Sequence, residues 1–177
     1  LQALIKGGMP VAGERIVIAG SGPLQLASAA TARDNGATVL HIAEQASWSA
    51  VAGFAAQLPH WPHKLLQSFG LFHPGYRAGS HVLEALGEGR LEAVRLSVGG
   101  QTREVACERL ACGFGLIPNL QLGQALGCRI DNNAITVDAW QTTSLDGVYA
   151  AGESTGFGGS EKALVEGAIG GHAAVAG

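Results

Sequence analysis

Arg15-Ile16-Val17-Ile18-Ala19-Gly20-Ser21-Gly22-Pro23-Leu24-Gln25 is the stretch that decides the fold. Its first half is a short run rich in Ile and Val, the composition of a parallel strand covered on both faces. The run breaks into Gly20-Ser21-Gly22, and a helix-compatible segment follows. A strand that passes through a glycine turn into a helix is the arrangement that seats a diphosphate. Gly20 allows the tight turn, and Gly22 lets backbone N–H groups approach the phosphates with no Cβ in the way. Ser21, Pro23 and Leu24 complete the candidate cradle. Gln25 stands where the usual third glycine would be, so the pattern is incomplete.

The neighbouring sequence supplies the context. Residues 23–35 read as a helix with Ala27 and Ala30 on the sheet-facing side, ended by Asn35-Gly36. A second apolar run, Thr38 to Ala43, closes at Glu44, which lies 24 positions after Gly20. An acid at that strand end can accept hydrogen bonds from a ribose 2′-OH. Its charge also repels a 2′-phosphate, which favours NAD over NADP. The competing reading is a structural βαβ unit without a ligand, with Glu44 as a solvated strand-end charge.

Composition narrows the class. The chain has 177 residues, 47% of them hydrophobic and only 14% charged, and its 27 glycines imply many close backbone approaches. A net charge of −3 without a basic run argues against nucleic acid or anionic membranes as the main partner. No apolar stretch has the length of a membrane span, and no signal peptide is visible. Three cysteines, an odd set, suit a reducing cytoplasmic compartment. Leu1 to Lys6 reads as the end of a helix stopped by Gly7-Gly8, so the chain opens in mid-pattern, like a piece of something longer.

From Ser47 to Phe69 the periodicity is helical but interrupted by Pro59 and Pro62. His60-Trp61-Pro62-His63 at that break reads as a solvated turn with a packed Trp rather than a two-His metal site, and no metal is expected. Ser80–Leu86, Arg90–Val98 and Gln101–Ala106, joined through Gly87-Glu88-Gly89 and Gly99-Gly100, read as an antiparallel meander. Cys107 and Cys112 have a C-x4-C spacing, but the residues between them read as a strand. Positions five apart on a strand face opposite ways, so a dithiol is disfavoured.

The last third carries a second glycine-rich passage. Thr142 to Gly147 reads as a turn and Val148–Ala151 as a buried strand. Gly152-Glu153 and Gly156-Phe157-Gly158-Gly159 follow, leading into a helix from about Ser160 to Val175 with Ser160 as N-cap. Glu153 is placed to hold a polyol hydroxyl. Gly167, Gly170 and Gly171 let the helix lie close to another element.

Taken in order, Gly20-Ser21-Gly22-Pro23, the meander, Ala111 to Asn119, and Thr143 to Glu153 resemble the pyridine nucleotide–disulfide oxidoreductase-type flavoproteins. Within that family, Gly20 to Leu24 and Thr155-Gly156-Phe157-Gly158-Gly159 look most like the FAD subunits of opine oxidases and hydrogen cyanide synthase. The resemblance implies an α/β architecture. Residues 1–13 are a helix end and linker, 14–112 a Rossmann-like NAD(P)-binding domain with a parallel sheet and a three-stranded meander, and 113–177 the C-terminal segment of an FAD-binding domain. It implies cofactor contacts at Gly113, Gly152, Glu153 and Gly159, with Glu153 on the flavin ribityl chain and the last helix aimed at the flavin pyrimidine edge.

Three departures qualify it. The first FAD-binding glycine pattern would lie upstream of Leu1, Gln25 replaces a glycine, and no redox-active cysteine pair sits where disulfide reductases carry one. Neither disulfide-reductase chemistry nor tight FAD binding by this segment alone is expected. The reading is a fragment of an FAD-dependent oxidoreductase moving hydride between an amine or imino-acid substrate, or NAD(P)H, and FAD. Its expected partners are the missing N-terminal FAD half, copies of itself and a second subunit, since residues 113–177 should expose apolar surface. The alternative is a non-catalytic dinucleotide-binding or interaction module with a degenerate site. A short-chain dehydrogenase is excluded, because Tyr76 and Tyr149 are followed four residues on by Ser80 and Glu153 rather than Lys. No residue qualifies as a catalytic acid or base, the six histidines being scattered.

Overall fold

The computed structural model describes residues 1–60, 70 and 73–176, and they divide into two compact units, Leu1–Gly115 and Leu116–Gly177. Of the His60–His63 segment only His60 lies within the described residues; it ends a short 3-10 turn, Leu58–His60.

The first unit is built on β1 (Arg15–Gly20), β2 (Thr38–Glu44), β3 (Tyr76–Ala78) and β7 (Arg109–Gly113), which form an all-parallel sheet in the order β3-β2-β1-β7. Between β3 and β7 the chain makes the antiparallel meander β4 (Ser80–Leu86), β5 (Ala93–Val98) and β6 (Gln101–Ala106). Gly99 and Gly100 turn β5 into β6 with φ of 58° and 80°, the pair of positive values that a two-residue hairpin of matching twist demands. The helices are α1 (Gln2–Lys6), α2 (Leu24–Asp34) and α3 (Trp48–Ala55).

Alternation along β1 explains its unbroken apolar run. Ile16 and Ile18 pack with Ile42 against α1 and α2, through Ile5, Ala29 and Ala32. Val17 and Ala19 face the other way, into a core shared with Val94 and Leu96 of the meander and with Cys107. One strand thus feeds two cores, and each buried Ile or Val side chain contributes about 1.5–3 kcal/mol.

One local expectation changes in this unit. The stripe that α2 buries is Gln25, Ala29 and Ala32, not Ala27 and Ala30. Gln25 turns inward, and the helix phase follows it at i+4 and i+7. Ala27 instead presents its carbonyl to the Gln2 amide of α1 at 3.0 Å. The α2 end is as read: Gly36 has φ 84°, its N–H donates to the Arg33 carbonyl, and Ala37 N–H reaches back to Ala32.

The second unit contains α4 (Gln121–Leu126), a two-stranded hairpin of β8 (Ile130–Asp131) and β9 (Ala134–Ile135), a 3-10 turn at Gly152–Thr155, and α5 (Gly159–Ala176). Its small core holds Leu120, Cys128 and Ile135. Val148–Ala151 is not a regular strand here. It makes a single bridge, Thr142 with Tyr149, and bonds from Thr143 and Ala150 back to its own turn. A strand needs a ladder partner along its length, and the described residues of this unit offer none beyond that turn.

Candidate functional site: the glycine corner and the turn before the last helix

The glycine corner forms at the carboxyl end of the parallel sheet. Gly20 pairs with Glu44 of β2 on one side and with Gly113 of β7 on the other. The strands meet so closely that a Cβ on Gly20 would stand 2.0 Å from the Gly113 carbonyl oxygen. Ser21 N–H donates to that same oxygen at 2.9 Å, and Gln45 N–H to the Gly20 carbonyl at 2.8 Å. Gly22 has φ 96° and open space where a Cβ would be. Pro23 stands at the N-cap position of α2 without a side-chain capping bond, and Ser21 and Leu24 are exposed beside it.

Glu44 sits under this corner. It is 2% exposed, so it is not a solvated strand-end charge. The reason is its hydrogen bonding. Its Oε2 accepts from Gly22 N–H at 2.9 Å, Gln25 Nε2 at 2.9 Å and the Tyr76 hydroxyl at 3.3 Å, and its Oε1 accepts from Ala46 N–H at 2.8 Å. A buried carboxylate is tolerated where such donors replace water. Burial, followed by the Glu44 charge and hydrogen bond, pushes the Tyr76 phenol well above its ordinary pKa, so it stays a donor. The Tyr76 ring lies edge-on to Trp48, with centroids 6.1 Å apart.

The second locus is the turn before α5. Glu153 is exposed, and its Oε1 accepts from Gly159 N–H at 3.1 Å. The helix therefore starts at Gly159, with Ser160 inside it rather than capping it. The Glu153 side chain reaches the terminal N–H first, and its charge suits the positive end of the helix dipole. Behind it, Glu166 accepts from Gly152 N–H at 2.8 Å and pairs with Lys162 at 2.7 Å. The Thr155 hydroxyl lies 2.8 Å from Glu166, and Lys162 also donates to the Gly156 carbonyl at 2.9 Å. Burial opposes the Glu166 charge, but its bonds from Lys162, Thr155 and Gly152 outweigh it and hold the carboxyl below its ordinary range. Further along α5, Gly170 packs on Gln141, which is buried at φ 65°, whereas Gly167 and Gly171 face open space.

The sequence reading missed Tyr76, Lys162 and Glu166. Lys162 and Glu166 carry an i, i+4 charge spacing that could have flagged them. Tyr76 carries no such signal, since it meets Glu44 across strands 32 positions apart. Cys107 is buried and Cys112 exposed, and both thiols are free. Among the described residues no three His, Cys, Asp or Glu side chains gather as a metal site requires.

A parallel sheet with a glycine corner at its carboxyl end, a meander inserted between β3 and β7, and a glycine turn leading to a long final helix defines the class of two-dinucleotide oxidoreductase folds. The chain matches the family described as pyridine nucleotide-disulphide oxidoreductase over residues 2–170, and it belongs to that family. The family comprises FAD-dependent oxidoreductases that use FAD and NAD(P).

Among curated proteins it is 28% identical to the HcnB component of the hydrogen cyanide synthase of Pseudomonas protegens, across 96% of this chain and 40% of that protein. It is 30% identical to one of the opine oxidase subunits of Agrobacterium tumefaciens, across 96% of this chain and 36% of that protein. The chain thus spans about two fifths of the length of these relatives. Among solved structures, thioredoxin reductase of T. acidophilum shares the fold with a TM-score of 0.66 at 22% identity, over 93% of this chain and 52% of that one. The Lactococcus lactis enzyme does so with a TM-score of 0.67 at 16% identity, over 97% and 55%.

Proposed function

We propose that the chain is the nucleotide-binding portion of a flavin-dependent oxidoreductase acting on an amine or imino-acid substrate. In this reading residues 14–112 form the NAD(P)-type domain, residues 113–177 the returning part of the FAD domain, and residues 1–13 a helix end and linker. One observation carries it. An exposed carboxylate, Glu153, follows Gly152 and stands at the first N–H of an 18-residue helix, with open space for a Cβ at Gly156 and Gly159. A ribityl chain needs an acceptor for its hydroxyls, and an electron-rich pyrimidine edge needs a helix N-terminus. FAD, when bound, supplies the hydride acceptor. Glu153 would hold its hydroxyls, Gly152, Gly156 and Gly159 would admit its edge, and Lys162 and Glu166 would fix the turn that presents them. Gly113 would be a further cofactor contact, and Gly20, Ser21, Gly22, Pro23, Leu24 and Glu44 would form the NAD(P)-type corner.

The apolar residues left at the surface, among them Ile117 at 94% exposed and Leu164 at 74%, support a partner surface. We assign its cover to the remaining part of the FAD domain, then to a second subunit or another copy. No helix among the described residues is long and apolar enough to cross a membrane. Three free thiols favour the cytoplasm.

The test uses the full-length protein. It is expected to carry FAD, and the flavin absorbance is expected to bleach anaerobically on adding an opine-type N-substituted amino acid. A protein without flavin, or one that no amine bleaches, would favour the rival reading of a non-catalytic module with a degenerate site. The burial of Glu44 under four internal donors is the observation that favours this rival.

A further inference from the structure

The glycine corner does not fit the nucleotide that its position suggests. We infer that the corner is ligated by the chain's own Glu44 and takes neither NADH nor NADPH, so the hydride of the proposed reaction comes from the amine substrate alone. This rests on the oxidoreductase reading for the identity of the donor, but not for the closure of the corner.

Acceptor capacity is the first argument. A carboxylate offers about four lone-pair sites. Glu44 already meets four donors, three on Oε2 and one on Oε1. Oε2 is fully taken; Oε1 keeps a lone pair, but at 2% exposure the buried side chain offers it no opening to a ribose hydroxyl. To read a ribose with Oε2 it must first lose Gln25 or Tyr76, and both are held in place. Gln25 is 4% exposed within the α2 stripe, and Tyr76 is packed on Trp48.

The donors needed by a diphosphate are committed too. Ser21 N–H goes to the Gly113 carbonyl, Gly22 N–H to Glu44, Gln25 N–H to the Gly22 carbonyl and Leu26 N–H to the Pro23 carbonyl. Pro23 has no N–H. Of residues 21–26 this leaves Leu24 alone. A phosphate cradle works by converging several backbone donors on one anion. Here that convergence is spent on an internal carboxylate, whose charge also opposes a second anion at the same helix end. Gln25 makes the difference. A glycine there would leave Glu44 with one donor fewer and open the space above it.

The test is calorimetric titration of the full-length, flavin-containing protein with NADH and NADPH, paired with nucleotide-induced shifts in melting temperature. The wild type is expected to give no saturable heat and no shift up to about 1 mM nucleotide. Gln25→Gly, alone and with Tyr76→Phe, is expected to gain NADH binding by at least about tenfold, with NADPH still rejected by the retained Glu44 charge. Circular dichroism and flavin content establish that each variant folds. Should the double variant not fold, the single one carries the test.

Wild-type saturation by either nucleotide at micromolar concentration would overturn the inference. So would folded variants that bind no better than wild type, since the closure would then not be due to Glu44 and its clasp. Anaerobic bleaching by amines is read in the same preparations. Its absence would remove the oxidoreductase reading without touching the closure, and nucleotide binding would do the reverse.

Discussion

Gly20 and Gly113 are in backbone contact: a Cβ built on Gly20 falls 2.0 Å from the Gly113 carbonyl oxygen and 2.4 Å from its carbon. This contact locks β1 to β7 where the parallel sheet ends, and it makes the two corner glycines unequal. Gly22, two residues on, meets nothing within 4 Å.

Gly20→Ala is therefore expected to push β1 and β7 apart and to destabilise the first unit by about 3 kcal/mol. Gly22→Ala carries only the cost of a left-handed backbone, about 1–2 kcal/mol. Urea unfolding of the two variants should rank them in that order. Equal midpoints would mean that the sheet end yields to the added methyl.

Removing Glu44 has a different signature. Glu44→Ala strips acceptors from Gly22 N–H, Ala46 N–H and the Gln25 amide. Buried donors left without partners cost about 1–3 kcal/mol each, so a loss of about 3 kcal/mol or more is expected in the same assay. Glu44→Gln keeps the shape and part of the bonding, and should lose less.

Leu96 tests the second core. It is fully buried between the meander and the sheet, beside Val17, Ala43 and Val94. Leu96→Ala should cost about 2–5 kcal/mol through lost contacts and a residual cavity. A loss below about 1 kcal/mol would show that the meander packs independently of the sheet.

The Arg15–Glu108 pair ties the start of β1 to the start of β7. Glu108 accepts from the Arg15 backbone at 2.7 Å and from its guanidinium, and these bonds pull its carboxyl down to about 2. A folded pKa below the ordinary carboxylate value gives stability that is complete above about 4.3 and is lost as pH falls toward 2. Both side chains are close to half exposed, so the effect should be small and should shrink with added salt. Acid titration of Glu108→Gln against wild type at two ionic strengths checks this. A salt-independent difference would contradict it.

Glu166 follows the same sign in the second unit. Its lowered carboxyl stabilises the 152–156 turn at neutral pH, and this contribution is lost as acid protonates it below the ordinary Glu range. Glu166→Gln and Lys162→Met are each expected to weaken FAD retention by the full-length protein at neutral pH. The wild type should approach them only in acid, as followed by flavin fluorescence on release.

Much of this architecture is legible locally. The Ile/Val run of β1, the left-handed glycines at 36, 99 and 100, and the glycine-punctuated strands of the meander depend on neighbours within a few positions. Their physics is backbone sterics and periodic burial. The phase of α2 was not legible, because Gln25 faces inward for a partner 19 residues away in sequence. Val148–Ala151 reads as a strand from composition, but a strand also requires a neighbour, which composition cannot supply.

By itself the sequence determined the class: a glycine turn between an apolar strand and a helix, a meander behind it, and a second glycine passage before a final helix. The role of the Glu44 carboxylate emerges only when the chain is folded. Its position at the end of β2 follows from the chain order, but its four donors arrive from the turn, from α2, from the loop after β2 and from β3. Whether a strand-end acid reads a ligand or is consumed by its own fold depends on how many donors surround it. That number is fixed by packing in three dimensions, not by spacing along the chain.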